Sequence, residues 1–201
     1  MKRIITVGRE FGSGGRTIAR MTGERLGIAV YDSELLAKIA EESGFDERYI
    51  AEKGENATLG SLVAKCLSGL GNYSQMTAED YLWKIQREVI EKLADREACI
   101  IVGRCADYIL RDRADCLRVF ILADMETRAK RIVSVYGESA EAPEKRLRDK
   151  DRRRSAFYSC HTDMTWGDPH NYQICLDSGA LGFEKCVDIL CEMYREFPSE
   201  Q

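Results

Sequence analysis

The stretch that most restricts the fold lies near the start of the chain. An apolar run, "IITV" at 4–7, leads into "GREFGSGGRT" at 8–17 and then into "IARMTGERLG". A buried strand that passes through a glycine-rich loop straight into a helix is the opening of a parallel sheet, and such loops commonly bind phosphate. Gly12, Gly14 and Gly15 admit positive φ, so that successive amides can point into one concavity. The helix that follows adds its N-terminal dipole. Arg16 supplies a forked cation, and Thr17 a hydroxyl suited to a magnesium ion.

The usual phosphate loop reads G-x-x-x-x-G-K-[ST], and no register of this loop satisfies it. With Arg16 in place of the lysine, Gly15 and Thr17 fit, but the first glycine falls on Glu10. With Gly8 as the first glycine, the lysine falls on Gly14. The loop reads as a phosphate cradle built on backbone amides, with Arg16 as the replacement charge; the alternative is a purely structural glycine turn between strand and helix.

The rest of the chain repeats the alternation. "IAVY", "CIIV" (99–102), "RVFILA" and "YQICL" (172–176) read as further strands. Between them, "EDYLWKIQREVIEKLAD" puts Leu82, Ile85, Val89, Ile90 and Leu93 on one helical face. Thr77 and Asp80 resemble a capping box, Asp124 caps the helix in "DMETRAKRIVSVY", and "LGFEKCVDILCEMYREF" closes the chain. The expected fold is α/β: a five-stranded parallel sheet covered on both faces, as one domain over 1–201. Residues 33–76 and 137–170 break the alternation and read as excursions from that sheet, the second highly charged and ending in "TWGDPHNY".

In such a sheet ligands sit beyond the carboxyl ends of the strands. Asp32, Gly103, Arg104, Asp124, Asp177 and Ser178 are therefore the residues to inspect. Arg104 stands at this edge as an anion ligand or as a partner of Asp107 or Asp124. Asp32 is a ligand, a cap for a helix starting at Ser33, or both. Asp124 is a cap rather than a metal ligand. The run "RDKDRRR" offers Arg148, Lys150, Arg152, Arg153 and Arg154, of which only some can face one ligand. His161 and His170 form no catalytic pair. Trp166 and Tyr172 anchor the return of the second excursion or stack on a base.

Composition narrows the function classes. A formal net charge of −4 gives no default polyanion-binding surface, so no nucleic-acid partner is expected. No apolar run reaches the length of a membrane span, and the start lacks a secretory signal; a cytoplasmic protein is expected. The eight cysteines include no C-x-x-C pair and read as reduced, buried side chains. Oligomeric state is not legible.

Several ordered blocks carry a resemblance. "ITVGREFGSGGRTIARMTGERLGIAVYDSELL", "IIVGRCADYIL", "RVFILADMETRAKRI", "KDRRRSAFY" and "WGDPHNYQICLDSGALG" resemble the cytidylate kinase-like family, a branch of the P-loop nucleoside monophosphate kinases. The resemblance implies a three-layer P-loop kinase core, a monophosphate-binding insert at 33–76 and a lid at 137–170. It implies transfer of the γ-phosphoryl group of ATP, with Mg2+, to CMP or dCMP. It puts the ATP phosphates on Gly12, Ser13, Gly14, Gly15, Arg16 and Thr17, with Asp177 and Ser178 near the adenine. It puts the monophosphate on Asp32, Ser33, Gly103 and Arg104, and a lid arginine at Arg153, with Arg154 beside it. Two departures stand out. The lysine of the classical loop aligns with Gly15, and the classical "DGRD" is here Val102-Gly103-Arg104-Cys105. The acceptor is thus open between a nucleoside monophosphate and another small molecule, and a regulatory nucleotide-binding domain with little turnover is the third reading.

Overall fold

The computed structural model describes residues 3–32, residue 41 and residues 78–196. Ser33, Thr77 and nearly all of the 33–76 excursion lie outside the described residues.

Five parallel strands form the sheet, in the order β2-β3-β1-β4-β5. They are β1 (Ile4–Arg9), β2 (Ala29–Tyr31), β3 (Cys99–Val102), β4 (Cys116–Leu122) and β5 (Ile174–Asp177). The helices are α1 (Gly15–Leu26), α2 (Ala78–Arg96), α3 (Ala106–Ile109), α4 (Met125–Ser134), α5 (Pro143–His161), α6 (Ser178–Leu181) and α7 (Phe183–Glu196). The central strands are apolar on both faces because both are covered: Ile4, Ile5, Ile100, Ile101 and Ile121 are fully buried. One core packs α2 against Ile4, Cys99 and Ile101, through the face expected from its periodicity. The other packs α1 and α7 against Ile5, Ile100, Val119 and Ile121.

Strand order changes direction around β1, so the carboxyl end of β1 opens the crevice that receives ligands in such sheets. β1 runs two residues past its apolar part because Gly8 and Arg9 pair with Phe120 and Ile121. The charged excursion forms one long helix, α5. It holds to the body through buried Leu147, which clusters with Ala129 and Ile132, and through Phe157 and Tyr158 at its other end. Beyond it, Phe120 takes Trp166 edge-on at 5.4 Å and Tyr172 at 5.0 Å, so both aromatics anchor the chain's return to the sheet.

The reduced state expected for every cysteine needs one correction. Six described cysteines are free, but Cys160 is disulfide-bonded.

Candidate active site

The glycine loop turns on two left-handed residues, Gly12 at φ 80° and Gly14 at φ 82°, and helix α1 begins at Gly15. A Cβ on Gly14 would stand 2.4 Å from the Phe183 ring, so this position is closed to any other residue. Ser13 ties the loop to itself, donating from its hydroxyl to the Glu10 carbonyl at 2.9 Å. Ser178 fixes it from β5's end through a short hydrogen bond to the Ser13 carbonyl.

Three arginines hold the outer side of the loop through its carbonyls. Arg154 Nη1 donates to the Arg9 carbonyl at 3.2 Å, Arg128 Nη1 to that of Phe11 at 3.3 Å, and Arg131 Nη1 to that of Gly12 at 3.0 Å. Arg131 also lies over the Phe183 ring, 4.6 Å from its centroid. The Phe11 amide donates to Asp151 Oδ1 at 2.6 Å, and Arg128 Nη1 meets Asp151 Oδ2 at 2.6 Å. Arg128 Nε lies 3.5 Å from Glu10, whose carboxylate also accepts from the Ala123 amide at 3.1 Å. Burial pushes the Glu10 carboxyl above its usual pKa, opposed by that amide and by Arg128.

Two cavities meet at this edge. One, about 410 Å³, is lined by the loop with Arg16, Thr17, Tyr136, Glu138 and Arg154. The second, about 20 Å³, lies at the ends of β1 and β3 between Arg104, Asp107, Tyr158, Trp166 and Tyr172. Arg9 and Arg154 line both. Arg104 is 6% exposed and leaves β3 through a turn in which Gly103, Arg104 and Cys105 all have positive φ. The carboxylates weighed as its partners are engaged elsewhere: Asp107 accepts from the Tyr158 hydroxyl at 2.7 Å, and Asp124 caps α4 by accepting from the Thr127 amide. Burial raises the pKa of Asp107, with the Tyr158 hydroxyl acting against it.

The candidates from the sequence are distributed as follows. Gly12, Gly14, Gly15, Arg16 and Thr17 line the loop cavity, and buried Ser13 braces it. Arg16 is exposed, and its guanidinium pairs with Asp32 just past β2. Gly103 and Arg104 line the second cavity. Arg154 reaches both cavities, whereas Arg153 lines neither. Asp177 caps α6, accepting from the Gly179 and Ala180 amides. His161 stacks with Trp83 and Phe157, and His170 pairs with Asp168 at the surface. Sequence reasoning missed Arg9, Arg128, Arg131 and Asp151 as the frame of the loop. The spacing of Arg128 and Arg131 at i and i+3 just after the strand β4 was the available signal.

Among the described residues no helix is long and apolar enough to cross a membrane. The model of the cytidylate kinase-like family matches residues 4–180. The chain belongs to the cytidylate kinase-like family. It is 27% identical over 192 residues to a cytidylate kinase of Archaeoglobus fulgidus, covering 92% of this chain and 91% of that one. Among solved structures, an uncharacterized protein from Eubacterium ventriosum superposes with a TM-score of 0.73 at 25% identity, covering 97% of this chain and 99% of the other. A shikimate kinase from Bacteroides thetaiotaomicron superposes with a TM-score of 0.52 at 15% identity, covering 96% and 98%, which shows the shared P-loop kinase fold.

Proposed function

We propose that this family member transfers the γ-phosphoryl group of ATP to a nucleoside monophosphate, CMP or dCMP, giving ADP and the diphosphate. One observation carries this reading: Arg9 and Arg154 line both the glycine-loop cavity and the smaller cavity that contains Arg104. A donor phosphate on the loop and an acceptor phosphate at Arg104 would then share one cationic wall. Phosphoryl transfer asks the protein mainly for such positioning and charge.

The loop fits a chain of phosphates. Its left-handed Gly14 and the start of α1 offer backbone donors, and its outer carbonyls are already taken up by guanidinium groups. Gly12 to Thr17 would hold the ATP phosphates, and the half-buried Thr17 hydroxyl at the head of α1 is the group to hold Mg2+. That ion, when bound, would neutralise phosphate charge. The positive charge that a loop lysine would supply is assigned to Arg154, which lines both cavities and pairs with Asp151 at 3.7 Å, whereas Arg16 lines only the loop cavity of the two. Asp32, Ser33, Gly103 and Arg104 are proposed for the acceptor side, with residues 33–76 as its insert. Residues 137–170 are proposed as a lid that carries Arg154 to the reacting phosphate. Asp177 and Ser178 are assigned to the adenine end.

A second acceptor class is favoured by one feature. The "DGRD" element of classical cytidylate kinases is here Val102-Gly103-Arg104-Cys105, without either acidic residue. The test is ADP release from Mg-ATP with CMP, dCMP, UMP, AMP, GMP and no acceptor. Turnover selective for CMP or dCMP supports the proposal. ATP binding without turnover on any monophosphate overturns it in favour of another acceptor or a regulatory domain.

A further inference from the structure

Arg104 sits in an uncommon backbone. Gly103, Arg104 and Cys105 have φ of 76°, 58° and 54°, three left-handed residues in a row, two of which carry a Cβ. Side chains disfavour this region, and such turns persist where their surroundings impose them. Two backbone bonds bracket the turn: the Gly103 amide donates to Val7 at 3.1 Å, and the Ala106 amide to Gly103 at 3.0 Å. A third comes from a side chain. Gln86 Nε2 donates to the Arg104 carbonyl at 3.0 Å, in a buried hydrogen bond.

Gln86 occupies an unexpected place. It lies within the apolar face of α2, beside Ile85 and between Leu82 and Val89, and is only 5% exposed. Packing alone gives an amide no advantage over leucine at such a position, because a buried amide must recover its lost hydration. It recovers that hydration from the carbonyl of Arg104, which lines the smaller cavity but not the loop cavity.

We infer that Gln86 is a positioning residue: it holds the left-handed turn at Gly103, Arg104 and Cys105 so that the Arg104 side chain enters the acceptor cavity. This rests on the acceptor role proposed for Arg104. Gln86 touches neither cavity, so its effect is confined to the acceptor and leaves the loop that would hold ATP alone.

Gln86→Leu keeps the volume and removes the donor. Gln86→Glu keeps the shape, loses the donor while ionised and regains it when protonated, and it decides the matter if Gln86→Leu does not fold. The expected result is a CMP KM raised roughly tenfold, the worth of about one buried hydrogen bond, with the ATP KM unchanged. In Gln86→Glu the defect shrinks as pH falls. Hydrogen exchange supplies a readout that needs no turnover: the Gly103 and Ala106 amides exchange faster in the variants, while those of residues 8–17 do not. Equal shifts in the CMP and ATP constants, or no shift in either, overturn the inference. Absence of transfer to any monophosphate by the wild-type protein overturns the kinase proposal instead. The exchange result then decides alone: unchanged protection at Gly103 and Ala106 refutes the hold on Arg104, and a selective loss upholds it.

Discussion

Replacing Arg128 by methionine removes a cation from the centre of the loop's frame while leaving most of its volume. The Arg128 side chain is 6% exposed and stands 2.6 Å from Asp151 and 3.5 Å from Glu10, whose own exposures are 16% and 25%. Unit charges at about 4 Å in an effective dielectric of about 20 attract by roughly 4 kcal/mol before desolvation is counted. Removing one partner of a buried pair leaves the other charge uncompensated, which costs about 3 to 5 kcal/mol. Here Asp151 keeps Arg154 at 3.7 Å and the Phe11 amide, and Glu10 keeps the Ala123 amide, so Arg128→Met is expected to lose about 2 to 3 kcal/mol at neutral pH. Urea unfolding followed by the fluorescence of Trp83 and Trp166 measures it. Adding Asp151→Asn removes one stranded charge, so the double variant should be more stable than the sum of the single losses, by about 1 to 3 kcal/mol. The loss also depends on pH. Glu10 has a folded pKa raised by burial, and Arg128 is one of the groups that restrain it. A carboxyl raised in this way contributes stability below its unfolded pKa and loses it as pH rises through the folded value. Without Arg128 the folded value climbs further, so the deficit is smaller near pH 4 than at pH 8. A loss under about 1 kcal/mol, or strict additivity with Asp151→Asn, would refute the assignment of Arg128 as the frame's central charge.

Other outcomes follow from the same geometry. Arg154→Ala is expected to lower kcat about 100-fold or more, the scale of losing one preorganised donor to developing charge, while Arg153→Ala changes it little; steady-state kinetics on both variants compares them. Gly14→Ala forces a Cβ into a left-handed position 2.4 Å from Phe183. It should cost at least about 1 to 2 kcal/mol in urea unfolding and weaken ATP binding measured by calorimetry. Tyr158→Phe removes the hydrogen bond to buried Asp107. Since burial already raises the Asp107 pKa, stability is lost as pH rises, and the variant should be worse at pH 8 than at pH 5, by up to about 3 kcal/mol in thermal or urea unfolding.

Much of the fold was legible in the sequence, because buried parallel strands leave short apolar runs and the helices between them keep a 3.6-residue period. "CIIV" is β3 to the residue, and Leu82, Ile85, Val89, Ile90 and Leu93 all face the core. Boundaries shifted where pairing, rather than hydropathy, sets them. Polar Arg9 is a strand residue because Ile121 pairs with it, and Tyr172 falls outside β5 because its amide closes the 3-10 turn at 169–171, donating to the Pro169 carbonyl at 3.2 Å. Within the candidate site, the loop, Gly103 and Arg104 could be picked out because a residue directly after an apolar run stands at the ligand edge of a parallel sheet. The partner of Arg16 could not. Local spacing says nothing of Asp32, sixteen residues away, which pairs with the Arg16 guanidinium while Arg16 still lines the loop cavity. Nor does a charge-rich helix reveal which arginine lines these two cavities: Arg153 and Arg154 differ by about 100° of helix rotation, and α5, docked through Leu147, Phe157 and Tyr158, brings Arg154 to both. Gln86 was visible as the single amide in an apolar row, a signal that needed the Arg104 carbonyl to acquire meaning.

The most direct test of the central claim, that one cationic wall serves donor and acceptor, is single-turnover transfer of a labelled γ-phosphoryl group from ATP to CMP, in the wild-type protein and in Arg154→Ala. Label appearing in CDP with the wild-type protein, and at least about 100-fold more slowly with Arg154→Ala while both still bind ATP, is the predicted result. Label that never reaches CMP, or that reaches it at the same rate in both proteins, would contradict the account.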